Sequence, residues 1–117
     1  MNWRDLEVWK KAHSLTKLVY QLSKDFPKEE RFGLISQIQR AAYSVPLNIV
    51  EGQSRRTTKE FLNFLNIARG SLEELRYLLI LCQDIGYLSK QNAEAAELLS
   101  CEVSCMINAL MKSLRKN

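Results

Sequence analysis

Between Glu29 and Glu51 the chain carries two stripes of different chemistry at helical spacing. Leu34, Ile35, Ile38, Ala42, Val45 and Ile49 recur every third or fourth residue, so they share one face and point to a core. Gln37, Arg40, Ser44, Asn48 and Glu51 recur at the same step on a second face. A surface helix ordinarily fills its wet face with Lys and Glu. This face holds amides, a hydroxyl, one Arg and one Glu, with Pro46 inside the run. Such a choice points to polar groups that meet particular partners.

The remainder is equally helical. With only 4 Gly and 2 Pro in 117 residues, the chain has few places to turn and must be built of long elements. A first helix is expected from Asp5, as N-cap, to about Asp25, with Leu6, Trp9, Ala12, Leu15, Thr16, Val19 and Leu22 inward. Pro27 ends it. The second helix spans about Glu29 to Glu51, with Gly52 as its C-cap. Thr57-Thr-Lys-Glu60 has the spacing of a capping box and opens a third. Its apolar face is Phe61, Phe64, Leu65, Ala68, Leu72, Leu75, Leu79 and Cys82, and Gly86 stops it. Ser89 caps a fourth, with Leu98, Leu99, Val103, Met106, Ile107, Leu110 and Leu114 inward. Short links between helices of ~20–25 residues force antiparallel neighbours. The expected fold is therefore all-α: one domain over residues 1–117, an up-down-up-down four-helix bundle with its second helix kinked at Pro46, about four-fifths helical.

Equal helical pitch turns this topology into a register. Arg40 falls level with Ser71 and within about one turn of Glu73 and Glu74, so an Arg40 ion pair across the interface is expected. Asn48 falls level with Asn63, and Glu51 with Glu60. Arg69, Glu73 and Glu74 thus join the second-helix stripe as one candidate polar network. Gly70, beside Ala68 and Ser71, thins the third helix for a neighbouring helix or subunit, or for a pocket. Pro46 frees the carbonyl of Ala42, with His13 level with Ala42 and Trp9 level with Pro46. Two arrangements fit: His13 or a water binds that carbonyl, or His13 faces solvent beside an ordinary kink.

Charge and cysteine bound the function. The net charge of +4 permits nucleic acid as a partner without requiring it. The 3 Cys form no CxxC, and Cys101 and Cys105 lie one turn apart, so buried thiols are expected rather than a disulfide framework or zinc site. No apolar run approaches a membrane span, and the N-terminal residues lack the apolar core of a signal peptide, so a cytoplasmic protein is expected. His13 is the only His, there is no glycine-rich phosphate loop, and Glu73, Glu74, Glu94 and Glu97 lack the ExxH partners of a bundle metal site. An enzyme, a metal and a cofactor are not expected.

The topology gathers Arg4, Arg55, Arg56, Lys59, Lys112, Arg115 and Lys116 at one end, against Asp5, Glu7, Glu51 and Glu60. The other end is balanced. Arg55, Arg56 and Lys59, in a turn between ordered helices, are the leading candidates for phosphate contact, followed by Lys112, Arg115 and Lys116. The plain alternative is a solubility feature. The chain shows no RNA-binding motif, helix-turn-helix pattern or interleaving of basic with aromatic residues.

Asp5-Leu-Glu-Val-Trp-Lys-Lys-Ala12, Phe26-Pro-Lys-Glu-Glu-Arg-Phe-Gly-Leu34, Gln37-Ile-Gln-Arg-Ala-Ala42, Ser44-Val-Pro-Leu-Asn-Ile-Val-Glu-Gly52 and Ala68-Arg-Gly-Ser-Leu-Glu-Glu-Leu75 form a long ordered set. Together they resemble the 23S rRNA intervening-sequence protein family, over nearly the whole chain and least in the fourth helix. The resemblance implies a small all-α bundle without enzymatic activity, and a homo-oligomer, typically a pentamer. It also implies kinship with the accessory proteins of diversity-generating retroelements, in which a basic pentameric barrel engages nucleic acid and a reverse transcriptase. It assigns no chemical role to any motif residue. Two readings stand: an oligomeric accessory protein that binds RNA or DNA through the basic end, and an oligomeric scaffold that binds a protein partner.

Overall fold

The computed structural model describes residues 2–116. Four helices follow in order: α1 (Glu7–Ser23), α2 (Ser36–Gln53), α3 (Thr58–Asp84) and α4 (Lys90–Arg115). Helix accounts for 86% of the structure, and no strand occurs among the described residues. Each helix packs against its neighbours in sequence, and α4 closes back on α1. The result is the expected all-α up-down-up-down bundle, 46 × 24 × 20 Å.

Local chemistry sets most of the ends. Thr57 accepts from the Glu60 N–H at 3.1 Å, and its hydroxyl donates to the Glu60 carboxylate at 2.9 Å. Ser89 accepts from the Asn92 N–H at 3.1 Å. Gly86, at φ +87°, turns the chain after α3, and the Tyr87 N–H closes on the Cys82 carbonyl at 2.8 Å. Asp5 does not cap α1. It lies in a 3₁₀ turn, Trp3–Asp5, capped by Asn2, and extended Leu6 precedes the helix without a side-chain cap.

The second helix departs further from expectation. Residues Lys28–Glu30 form a 3₁₀ turn and Arg31–Ile35 a π turn, and the backbone breaks at Gly33 (φ −111°, ψ −107°). From Ser36 the α-helix runs uninterrupted through Pro46, so the break of this element lies at Gly33. The carbonyl freed by Pro46 is met from α1: the Thr16 hydroxyl donates to Ala42 O at 3.0 Å. His13 does not reach it. His13 is exposed and stacks on Trp9. Gly52 is no C-cap either. A Cβ there would lie 2.7 Å from Phe61 Cδ1 and 2.9 Å from Phe64 Cβ, so Gly52 is the point where α3 presses onto α2. The helix ends one residue later, at Gln53, and the Ser54 hydroxyl donates to the Glu51 carbonyl at 2.7 Å.

The core follows the stripes with one rotation. Leu15, Ile38, Ile49, Leu65, Leu72, Leu75 and Ile107 are fully buried. In α4 the inward line is Ala93, Ala96, Ser100, Val103, Ile107 and Met111, whereas Leu98 is 65% exposed. Small residues at every third or fourth position let α4 approach closely, and that line displaces the leucine. Cys82 is buried as expected, and burial, then the Glu30 carboxylate, push its thiol up to about 11. Cys101 is half-buried and Cys105 exposed, against expectation.

Gly52→Ala should lower unfolding free energy by about 1–3 kcal/mol, because the rings and the facing helix must shift to admit the methyl group. Urea denaturation measures it. A change within about 0.5 kcal/mol would show that the α2–α3 contact yields freely.

Candidate functional site

Two groups of residues bear on function: the polar stripe of α2 and the basic end. The stripe is only partly one network. Ser44 Oγ accepts from the Ser71 hydroxyl at 3.0 Å and from the Asn48 amide at 3.1 Å, and the same amide donates to the Ser44 carbonyl at 2.7 Å. This cluster joins α2 to α3 about one turn from the expected register. Side chains lean toward their own helix N-termini, so facing antiparallel pairs meet off the level of their Cα atoms.

The expected Arg40 ion pair nonetheless does not form, although this register sets Arg40 level with Leu75, beside Glu74. Arg40 is exposed and forms no ion pair with Glu73 or Glu74 among the described residues. Instead Gln37, Arg40 and Glu74 rim a surface hollow of about 350 Å³, floored by Ala41, Ser44 and Ser71. Glu73 turns the other way, to Arg76 at 2.9 Å. Glu51 pairs with Arg55 at 3.3 Å. Arg69 donates to Asn66 at 2.8 Å and to Asn108 of α4 at 3.1 Å. The eight residues therefore divide among separate contacts on two sides of α3. Gly70 has open space where its Cβ would be, so no helix of this chain approaches it.

The strongest ion cluster went unread in the sequence. Arg76 donates Nε and Nη2 to the same Glu97 oxygen at 3.0 and 2.8 Å, and Nη1 to Glu73. The hydrogen bond that Arg76 donates to Glu97, with the one it donates to Glu73, outweighs desolvation and raises the guanidinium further above its ordinary value. The i,i+3 spacing of Glu73 and Arg76 was a usable signal, but Glu97 required the α3–α4 register. Two of the four carboxylates once weighed as metal ligands are thus held by an arginine.

At the other candidate site, the end formed by the α1 start, the α2–α3 turn and the α4 terminus, the arginines are not alike. Arg55 is tied to Glu51 and lies 4.8 Å over the Phe64 ring. Arg4 lies 4.4 Å over the Trp3 ring. Arg56, Lys59, Lys112, Arg115 and Lys116 are exposed and form no ion pair among the described residues. Of the acids there, Glu7 is engaged by Lys10, Glu51 by Arg55, and Glu60 by its cap. At the opposite end Tyr87 donates to Glu30 at 2.8 Å, which raises the tyrosine hydroxyl above its ordinary value.

These features define an all-α bundle with a polar outer seam and a basic end. The model of the 23S rRNA-intervening sequence protein family matches residues 4–109, and the chain belongs to that family. A crystal structure of a protein of unknown function from the S23 ribosomal protein family of Bacteroides thetaiotaomicron is similar, with a TM-score of 0.83 and 26% identity over 90% of this chain and 95% of that one. No curated protein matches. No helix among the described residues is long and apolar enough to cross a membrane.

Arg76→Ala should cost about 1 kcal/mol, since the pair is partly exposed and screened. Arg40→Ala should stay within about 0.5 kcal/mol of the parent. Paired thermal melts of the two variants check the order, and a larger loss from Arg40→Ala would contradict the assignment.

Proposed function

We propose that this protein is a non-enzymatic, cytoplasmic homo-oligomer, a pentamer by its family likeness, whose basic ends bind nucleic acid through phosphates. The observation that carries the reading is the imbalance at one end of the bundle. Three of the four acids there, Glu7, Glu51 and Glu60, are engaged, while Arg56, Lys59, Lys112, Arg115 and Lys116 remain unpaired among the described residues. In a ring of like-oriented subunits such ends form a basic rim, and several weak patches on one ring raise avidity without any new contact. Arg55, committed to Glu51 and Phe64, is a weaker contributor than its neighbours.

Assembly is supported by the outer face of α2 and α3. Leu47 is 49% and Ile67 51% exposed, Gly70 is open, and Gln37, Arg40 and Glu74 present polar groups around the hollow. The same face favours the second reading, a scaffold that docks another protein and no nucleic acid.

A fluorescence-anisotropy titration of labelled RNA against salt tests the proposal. The parent should bind at low salt with little sequence preference. Arg56→Ala/Lys59→Ala/Lys112→Ala should lower the salt slope by about 2–3, leaving helicity intact. Light scattering should give an oligomer, and Gly70→Arg should reduce its mass. Absence of binding by the parent at tens of micromolar would move the assignment to the scaffold, and a clean monomer would remove the oligomer.

A further inference from the structure

A second surface carries the chemistry of nucleic-acid recognition, and it is not the basic end. Trp9, His13, Lys17, Tyr20 and Lys24 follow one another at steps of three or four, so they share one face of α1. The row spans ~22 Å. Interleaving of aromatic and basic groups, invisible between adjacent residues, thus appears one helical turn at a time.

Two of the aromatic members, Trp9 and His13, are ordered as a stack. His13 lies 4.9 Å from Trp9 with ring planes 8° apart. The Trp3 ring meets Trp9 edge-on at 4.8 Å, and Arg4 covers Trp3. Trp9 is half-buried and also covers the core, as a seam aromatic ordinarily does. That role does not extend to His13, which is exposed, or to Tyr20, which is 40% exposed. Across the α1–α2 seam Tyr43 is 42% exposed.

The middle of the face is also free of competing acids, with Asp5 and Asp25 flanking its two ends. Glu7 is the only acidic residue of α1, and Lys10 binds it at 3.2 Å. Glu51 is the only acidic residue of α2, and Arg55 binds it. Seven of the 13 carboxylates lie instead on α3 and α4, at Glu60, Glu73, Glu74, Asp84, Glu94, Glu97 and Glu102. A polyanion therefore meets few carboxylates on the α1–α2 side.

We propose that the α1 face binds single-stranded nucleic acid, with bases stacked on His13 and Tyr20 and phosphates on Lys17 and Lys24. Flat rings alternating with cations suit a strand whose bases are unstacked, whereas a duplex keeps its bases inside and offers the rings nothing. The row is long enough for about four nucleotides. This inference rests on the nucleic-acid reading above but places the strand on a different surface.

The full chain is titrated with a labelled 12-nucleotide oligouridylate and with a duplex of equal length, following anisotropy and tryptophan emission together. Both tryptophans of the chain, Trp3 and Trp9, lie in the stack, so emission reports on this face. The single strand should bind about tenfold more tightly than the duplex and quench the emission. His13→Ala/Tyr20→Ala and Lys17→Glu/Lys24→Glu should each weaken it about tenfold or more, with circular dichroism unchanged. Binding without quenching that survives both variants but is lost in Arg56→Ala/Lys59→Ala/Lys112→Ala overturns this proposal and leaves the basic end standing. Equal binding of duplex, of polyglutamate or of phosphatidylserine vesicles, lost in the same variants, reduces the face to a general anion surface and also overturns it. No binding of any oligonucleotide removes both readings.

Discussion

The bundle is organised around a hydrogen bond that α2 cannot make for itself. Pro46 has no N–H, so the Ala42 carbonyl, on a residue with no solvent exposure, loses its partner within the helix. An unmet buried carbonyl costs about 1–3 kcal/mol. Thr16 supplies the missing donor from α1 at 3.0 Å. Its hydroxyl also lies 3.0 Å from Ala12 O, but that carbonyl already has the helical N–H of Thr16, so Ala42 is where the proton is needed. About two turns further along α1, Ser23 accepts from Gln39 at 3.0 Å. The two contacts fix how α1 sits on α2, and everything exposed along their seam takes its position from them.

On its other side α2 is fixed by the absence of a side chain. Gly52 lets Phe61 and Phe64 close over the helix, while Ser44, Asn48 and Ser71 tie the two helices further along. The basic turn between α2 and α3 is thereby held between a tight glycine contact and a capped helix start. Arg55 folds back onto Phe64 and Glu51 within it, leaving Arg56 and Lys59 outward. Charge follows the same architecture: Glu73 and Glu97 are held by Arg76 between α3 and α4, and cations alternate with open rings on α1.

Much of this was legible because local chemistry decides it. The caps at Thr57 and Ser89 and the turn at Gly86 depend on residues three or four apart, and the apolar stripes of α1, α2 and α3 depend on a period. What escaped depends on distance in the chain. Gly52 looked like a cap because a glycine after an apolar run ordinarily is one, and only the rings of α3 show otherwise. Arg40 lacks its expected carboxylate even though the register of Ser44 on Ser71 sets it beside Glu74, because the two side chains line a hollow without closing across it. Arg76 gained Glu97 by the same long-range geometry. His13 was drawn toward Ala42 because its level was nearly right, yet Thr16, already assigned to the core, had the donor and the position. The mixed face of α1 is hidden in the sequence because its basic and aromatic residues lie one turn apart rather than side by side.

The most direct test of this account is a double-mutant cycle on Thr16 and Pro46, read by urea denaturation. Thr16→Val alone should cost about 1–3 kcal/mol, because it strands the Ala42 carbonyl. Pro46→Ala restores the N–H of residue 46, so in that background the same Thr16→Val change should cost at least about 1 kcal/mol less. An equal cost in both backgrounds would show that Thr16 acts by packing alone, and that the seating of α1 on α2 does not depend on the carbonyl Pro46 releases.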